Sequence, residues 1–329
     1  MSNNIILIGG EGYIGTVVSK YLVAKDYEVL SFDNLIYQNS SNVISNQFHP
    51  NYSFIFGDIR DEYKLNQVLD RNSSVIILAG LVGDPITKKY PLISEQINNI
   101  GIKNVIDISI NKKVKKIVFI STCSNYGVIS DEDVADENFN LNPLSSYAKS
   151  KVENEKYLLN NSNENTSITI LRFATAFGIS PRTRFDLTVN EFVKTAYLDK
   201  KLIIYDKETW RPYCHVNDFA RAIELIIRED QYKVNNQIYN VGGDENNFTK
   251  KMILDKIKQK VSSLEYEFIE DSKDRRNYKV SFEKIQNELN FKINYSVDYG
   301  INELLNAFKS NIFNFSDENT YGNYLINEK

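Results

Sequence analysis

Cysteine and histidine are nearly missing from this chain: two of each among 329 residues. Cys123 and Cys214 lie far apart, and only His49 and His215 could join them, so neither a structural zinc site nor a disulfide framework is expected. An excess of positive charge is lacking too. Lys and Arg number 39 against 43 Asp and Glu, a net charge of -4, which gives no basic footprint for nucleic acid. No apolar run approaches the roughly 20 residues needed to cross a bilayer. Met1 to Asn4 lead into a short apolar segment without the basic flank of a signal peptide. These absences predict a soluble protein of a reducing cytoplasm with no metal, nucleic-acid or membrane partner. What is present is ample apolar material, 42% of residues, for one large or two intimately joined domains.

Residues 4 to 8 form a continuous apolar run of the kind buried on both faces of a parallel sheet. Gly9-Gly10-Glu11-Gly12-Tyr13-Ile14-Gly15 follows at once, then an amphipathic stretch to residue 25. Strand, glycine turn and helix give Gly9, Gly12 and Gly15 separate tasks: a tight turn, backbone approach to a pyrophosphate, and close packing of helix on strand. Tyr13 and Ile14 open that helix. A second strand, 28 to 32, ends in Asp33 beside Asn34, where a carboxylate accepts hydrogen bonds from an adenosine ribose. Asp33 would repel a 2'-phosphate and no arginine follows directly, so NAD is favoured over NADP; capping a loop is its alternative role. The strand 53 to 56 leads to Asp58 and Ile59, with Asp58 expected both to bind the adenine amino group and to N-cap the next helix. A fourth strand, 75 to 78, delivers Leu78, Ala79 and Gly80, a backbone against which a cofactor can lie.

A helix over about 92 to 111, with Ile93, Ile97, Ile100, Val105 and Ile108, is expected to be buried, partly against another subunit. Residues 112 to 116 read as a solvated basic turn. The strand 116 to 120 brings residues 121 to 127 to the carboxyl edge of the sheet, where open α/β sheets bind ligands. The acidic stretch 128 to 144 reads as an active-site lip with solvated charges and not as a calcium loop. Tyr147 and Lys151 then stand four apart on one helix face, close enough for an ammonium to ease the loss of a phenolic proton. A sixth strand, 167 to 173, completes the alternation. The fold class is therefore α/β, a Rossmann-type doubly wound parallel sheet over residues 1 to 173 that is rejoined at about 216 to 241. Residues 174 to 215 and 242 to 310 read as a smaller C-terminal α/β substrate lobe, and 311 to 329 as an aromatic tail that packs on the body or on a partner. His215 precedes a helix cap with no acidic partner in view and reads as structural.

The glycine loop, Asp33, Gly57-Asp58, residues 121 to 127, Tyr147 with Lys151, and residues 211 to 218 stand in one order. Together they resemble the extended short-chain dehydrogenase/reductases, in particular the NAD-dependent epimerase/dehydratase family acting on nucleotide sugars, over about residues 4 to 310. Residues 171 to 192 also look like bacterial surface-polysaccharide enzymes, among them heptose-nucleotide 4-dehydrogenases. The resemblance implies Tyr147 as acid/base, Lys151 on the nicotinamide ribose, Thr122 on a sugar hydroxyl, and Arg211 on the diphosphate. Asn190 and Arg276 are its further expected diphosphate contacts, and Ser124, Thr175 and Arg182 complete the expected substrate-binding set. Cys123 and Ser124 occupy the positions where related 4,6-dehydratases carry their acidic pair, so water elimination is disfavoured; Cys123 itself reads as a buried thiol. The implied activity is epimerisation through a transient 4-keto sugar, with a ketone-releasing 4-dehydrogenase and a silent NAD-binding module as alternatives, and with a homodimer as the assembly.

Overall fold

The apolar runs become strands in a computed structural model that describes residues 4–270, 276–315 and 320–327. In chain order they are β1 (Asn4–Ile8), β2 (Glu28–Asp33), β3 (Tyr52–Phe56), β4 (Ser74–Ile77), β5 (Lys116–Thr122), β6 (Ser167–Phe173), β7 (Thr175–Phe177), β8 (Leu202–Tyr205), β9 (Trp210–His215), β10 (Gln237–Val241), β11 (Asn247–Thr249) and β12 (Tyr266–Ile269). Seven of them make one sheet in the order β3-β2-β1-β4-β5-β6-β10, every neighbouring pair parallel. The period of two along β1 explains the layering. Ile5 and Leu7 enter one apolar cluster, with Val18, Leu22, Phe219 and Ile223; Ile6 and Ile8 enter the other, with Val75, Ile102 and Val105. Order reverses between β1 and β4, and the crevice at their carboxyl ends is where such sheets take ligands.

The remaining strands form a β11-β9-β7 sheet and a β12-β8 pair. They surround a third cluster built on Phe177, Phe185, Val193, Ile253, Leu304 and Phe308.

Three local expectations are borne out only in part. The long helix runs unbroken from 91 to 112 but is irregular: Pro91–Glu95 passes through a π-helical turn, Gln96–Gly101, into Ile102–Lys112. The wider turn rotates the apolar face, leaving Ile100 exposed while Ile97, Val105 and Ile108 are buried. The basic run is only partly solvated, because Lys116 is buried and its ammonium donates to the carbonyls of Ile226, Ile227 and Glu229. It thereby caps the negative end of helix Val216–Arg228, and burial lowers its pKa to about 8. The acidic lip keeps Asp131, Glu132, Asp133 and Asp136 exposed, as expected, but it is tethered: it bridges to residues 277 and 280, Asp131 accepts from Asn277 at 2.7 Å, and the half-buried Glu137 accepts from the Asn240 N–H at 2.7 Å.

One buried ion pair ties the sheet to the helix Ser146–Asn160. Arg172 on β6 grips Glu155, Nη2 to Oε2 at 2.7 Å, with both side chains almost fully enclosed. Arg172→Ala leaves that carboxylate buried and unpaired and is expected to cost about 3–5 kcal/mol of folding stability. Urea unfolding checks this, and a loss below about 1 kcal/mol would contradict the pairing described.

Candidate active site

The glycine loop is shaped by close approaches. Gly9 has φ +83°, and a Cβ there would lie 2.6 Å from the Ala79 backbone; one on Gly15 would lie 2.6 Å from the Gly10 carbonyl oxygen. At Gly12 a Cβ would meet only the Gly9 oxygen, at 3.5 Å, so this position opens to the cleft. Helix Tyr13–Val23 starts there with no side-chain cap and no acidic residue in its first turn, a helix end suited to an anion. Tyr13 serves with its backbone, since its hydroxyl donates to the Gly178 carbonyl at 2.6 Å. Glu11 went unnoticed in the sequence. Its buried carboxylate accepts from Ser31 at 2.6 Å, Tyr52 at 2.8 Å and Asn42 at 3.0 Å, which pins the loop to β2, β3 and the segment after β2.

A cavity of about 410 Å³ runs along the crevice. Every residue read from the sequence as catalytic, cofactor-binding or substrate-binding lines it, apart from Asn190. Asp33 accepts from the N–H groups of Glu11 and Leu35 at 2.9 and 2.8 Å, and burial raises its pKa to about 6. Asn34 donates to Asp58 at 2.8 Å. Asp58 does not cap a helix: it accepts from the N–H and the guanidinium of Arg60, while Asp61 caps Glu62–Val68 through the Lys64 N–H. The intervening residues form a turn, which moves the helix start three positions on.

Thr122 ends β5. Its hydroxyl oxygen accepts from the Ser124 N–H at 3.1 Å, which leaves the hydroxyl hydrogen for a ligand. Tyr147 lies in the first turn of Ser146–Asn160, which Ser145 caps by accepting from Ala148 N–H at 3.1 Å. Lys151 is one turn further, but its ammonium is 5.9 Å from the Tyr147 ring centroid and donates to the Ile120 carbonyl at 2.7 Å, over the Phe119 ring. Burial pushes the Tyr147 phenol well above its ordinary range. Arg184 and Arg276 oppose that push. Burial lowers Lys151 itself to about 8. The π-helical turn has a use here: Asn98 holds Leu81 through its side chain, at 2.7 and 3.0 Å, and its carbonyl accepts from Asn154 on the Tyr147 helix at 2.7 Å.

Ser124 faces a tyrosine that sequence reasoning missed. The Tyr278 hydroxyl lies 3.2 Å from Ser124 Oγ, and Arg211 stacks on its ring at 5.1 Å. The signal available was alternation, since Arg276 and Tyr278 both line the cavity from one extended segment. Arg276 lies 3.8 Å from Asp84, and Thr175 lines the cavity from the start of β7.

Of the expected substrate contacts, Asn190 lies off the cavity and Arg182 lines it on the side of Asp33. Asn190 is fully buried and accepts from the Gly178 N–H at 3.0 Å while donating to the Arg184 carbonyl at 2.8 Å and to Tyr13. Its amide holds the lobe loop and has no face on the cavity. Arg182 stacks on Tyr37, 4.1 Å from the ring centroid, and lies close to Asp33, at the end of the crevice expected to take the adenosine. Arg184, paired with Asp186 at 2.6 Å, takes the place nearer Tyr147. His215 does have an acidic partner: its Nδ1 accepts from the Asn217 N–H, so Nε2 carries the hydrogen and donates to Glu303 at 3.0 Å. That pair ties β9 to helix Val297–Lys309 outside the cavity. Cys123 is a buried thiol, directed to the Arg172 carbonyl. No group of three or more metal-ligating side chains occurs among the described residues.

A glycine cradle, an uncapped helix end, a carboxylate at the end of β2 and a Tyr/Lys pair lie in one crevice, and these residues fit the NAD site of an extended short-chain dehydrogenase. The model of the NAD dependent epimerase/dehydratase family matches residues 5–242. The chain belongs to this family and is an NAD-dependent enzyme of that type. It is 25% identical to the UDP-glucuronate 4-epimerase of Thermodesulfobacterium geofontis, across 93% of this chain and 96% of that protein. The UDP-glucose 4-epimerase of Thermotoga maritima, solved with UDP-glucose, superposes with a TM-score of 0.82 at 25% identity, covering 94% of this chain and 100% of that one. The dTDP-glucose 4,6-dehydratase of Bacillus anthracis, solved with NAD, gives 0.82 at 25%, covering 94% and 97%.

As a carboxylate, Asp33 is expected to accept hydrogen bonds from ribose hydroxyls. With its pKa near 6, NAD affinity is expected to be full above that pH and to fall as the pH drops through it. Titration of NAD binding from pH 5 to 8 checks this; Asp33→Asn should bind more weakly and lose the pH dependence.

Proposed function

We propose that this enzyme is a nucleotide-sugar 4-epimerase that works through a transient 4-keto sugar, acting in the supply of sugars for surface polysaccharide. The observation that carries the reading is the grouping of Thr122, Ser124, Tyr147 and Tyr278 around one end of the NAD cavity, with Arg211 and Arg276 beside them. NAD, when held by the glycine loop, would supply the hydride acceptor for oxidation at C4 and, as NADH, the donor for the reduction. Arg211 and Arg276 supply positive charge for a diphosphate. Thr122 donates to the 4-oxygen and fixes it against Tyr147. As phenolate, Tyr147 takes the hydroxyl proton when C4 is oxidised and gives it back when the ketone is reduced on its other face. Ser124 and Tyr278 present hydroxyls to the ring substituents, and Thr175 adds a third. At the two positions after Thr122, the thiol of Cys123 points inward and Ser124 is no carboxylate, so elimination of water has no support from that wall.

Purified enzyme incubated with UDP- and dTDP-hexoses is expected to yield a 4-epimer with no net NADH. Stoichiometric ketone and NADH would overturn epimerisation in favour of a 4-dehydrogenase. Tyr147→Phe should lower turnover by about 10²–10⁴-fold while NAD binding persists; unchanged turnover would remove Tyr147 from the acid/base role.

The exposed Leu92 and Ile100 on the helical stretch 91–112 support pairing of two copies through that face, in a cytoplasmic homodimer. Ile100→Lys is expected to shift the mass measured by light scattering from dimer to monomer, and a monomeric parent protein would refute the pairing.

A further inference from the structure

Residues 320–327 lie beyond the part of the chain matched by the family model. After helix Val297–Lys309, Phe313, Phe315 and Tyr321 pack around Phe185, with ring centroids 5.1, 5.7 and 5.3 Å away. The Phe185 N–H donates to the Tyr321 carbonyl at 2.8 Å. From this anchor the chain crosses to the cofactor half. Asn323 is buried and held on three sides: its amide donates to the Val82 carbonyl at 2.9 Å, its side-chain oxygen accepts from Arg182 at 2.8 Å, and its backbone N–H donates to Asp186 at 3.4 Å. Lys89 donates to the Tyr324 carbonyl at 3.4 Å. Ile326 packs in the apolar cluster that holds Ile36 and Tyr37, and the Asn327 N–H donates to the Ile36 carbonyl at 2.8 Å.

The topology gives these contacts their meaning. Val82 follows β4 and Ile36 follows β2, the two strands that flank β1. Two strand spacings amount to about 10 Å, and four residues of extended chain reach about 13–14 Å. A segment fastened at both loops therefore passes in front of the β1 glycine loop, across the place a dinucleotide must enter and leave. Asn323 and Tyr324 line the cavity accordingly.

We propose that residues 321–327 form a strap across the dinucleotide cleft that retains bound NAD, with Asn323 as its latch. The strap joins the loops over both halves of the cofactor and, through Asn323, holds Arg182 on Tyr37 at the adenosine side. NAD leaves only when the Asn323 and Asn327 contacts are released together. This proposal rests on NAD binding by the family and is independent of epimerisation.

The test loads the protein with radiolabelled NAD and follows its loss after a chase with excess unlabelled NAD, without any sugar. Asn323→Ala keeps the aromatic anchor and is expected to speed NAD release about tenfold or more, the effect of losing its buried hydrogen bonds. A chain ending at Thr320 should release NAD faster still. Both are compared with the parent after circular dichroism has established the same fold; where the shortened chain does not fold, Asn323→Ala decides. Release at the parent rate overturns the strap, whatever the sugar chemistry proves to be.

Discussion

The carboxylate of Glu155 is the interaction on which the reaction centre depends. Thr122 is carried by β5 and Tyr147 by a helix, so their meeting requires that the helix be fixed along its length against the sheet. Glu155, two turns beyond Tyr147, accepts from Ser121 on β5, from Asn125 at 2.9 Å in the turn that follows, and from Arg172 on β6. A buried charge is tolerated only when so fully paired. The neighbouring Asn154 fastens the same helix to the π-helical turn, and Lys151 fastens its catalytic end to the Ile120 carbonyl. Three successive anchors on one helix face thus determine where the phenol points.

Burial acts in opposite senses on Tyr147 and Lys151. It makes the Tyr147 proton harder to remove and the Lys151 proton easier. Among the charges acting on the phenol, Arg184 and Arg276 counter burial; Arg184 precedes Phe185 of the third core cluster, and Arg276 opens the segment whose Tyr278 and Val280 pack in the first. The surroundings of the Tyr147 phenol thus include two cations that come from outside the seven-stranded sheet. Asn190 and His215 gain their importance in the same way. One holds the loop bearing Arg184 by its carbonyl; the other, with Glu303, holds the end of β9 that carries Arg211 at its start. Neither touches the cavity, and both decide where a cation stands.

The legible and illegible parts of the chain divide by the range of the interaction. Strands β1 to β6, the glycine loop and Asp33 could be read because each depends on neighbours within a few residues: an apolar run, a turn that excludes Cβ atoms, a carboxylate at a strand end. Tyr147 and Lys151 could be placed on one helix face for the same reason. Their electrostatic relation could not, because the Lys151 side chain finds a carbonyl on β5 instead of the phenol. Lys116 looked solvated because its acceptors are 110 residues or more away on another helix. Asn190 and Arg182 were polar groups in the right segment, with no local pattern to tell a loop brace from a substrate contact. Glu11 stood inside the glycine motif and Tyr278 in an alternating segment, yet neither pattern named its partners, and Asn323 stood in no pattern. Each acts through partners supplied by a distant strand or loop, and a side chain of that kind becomes readable only when the topology has brought those partners to it.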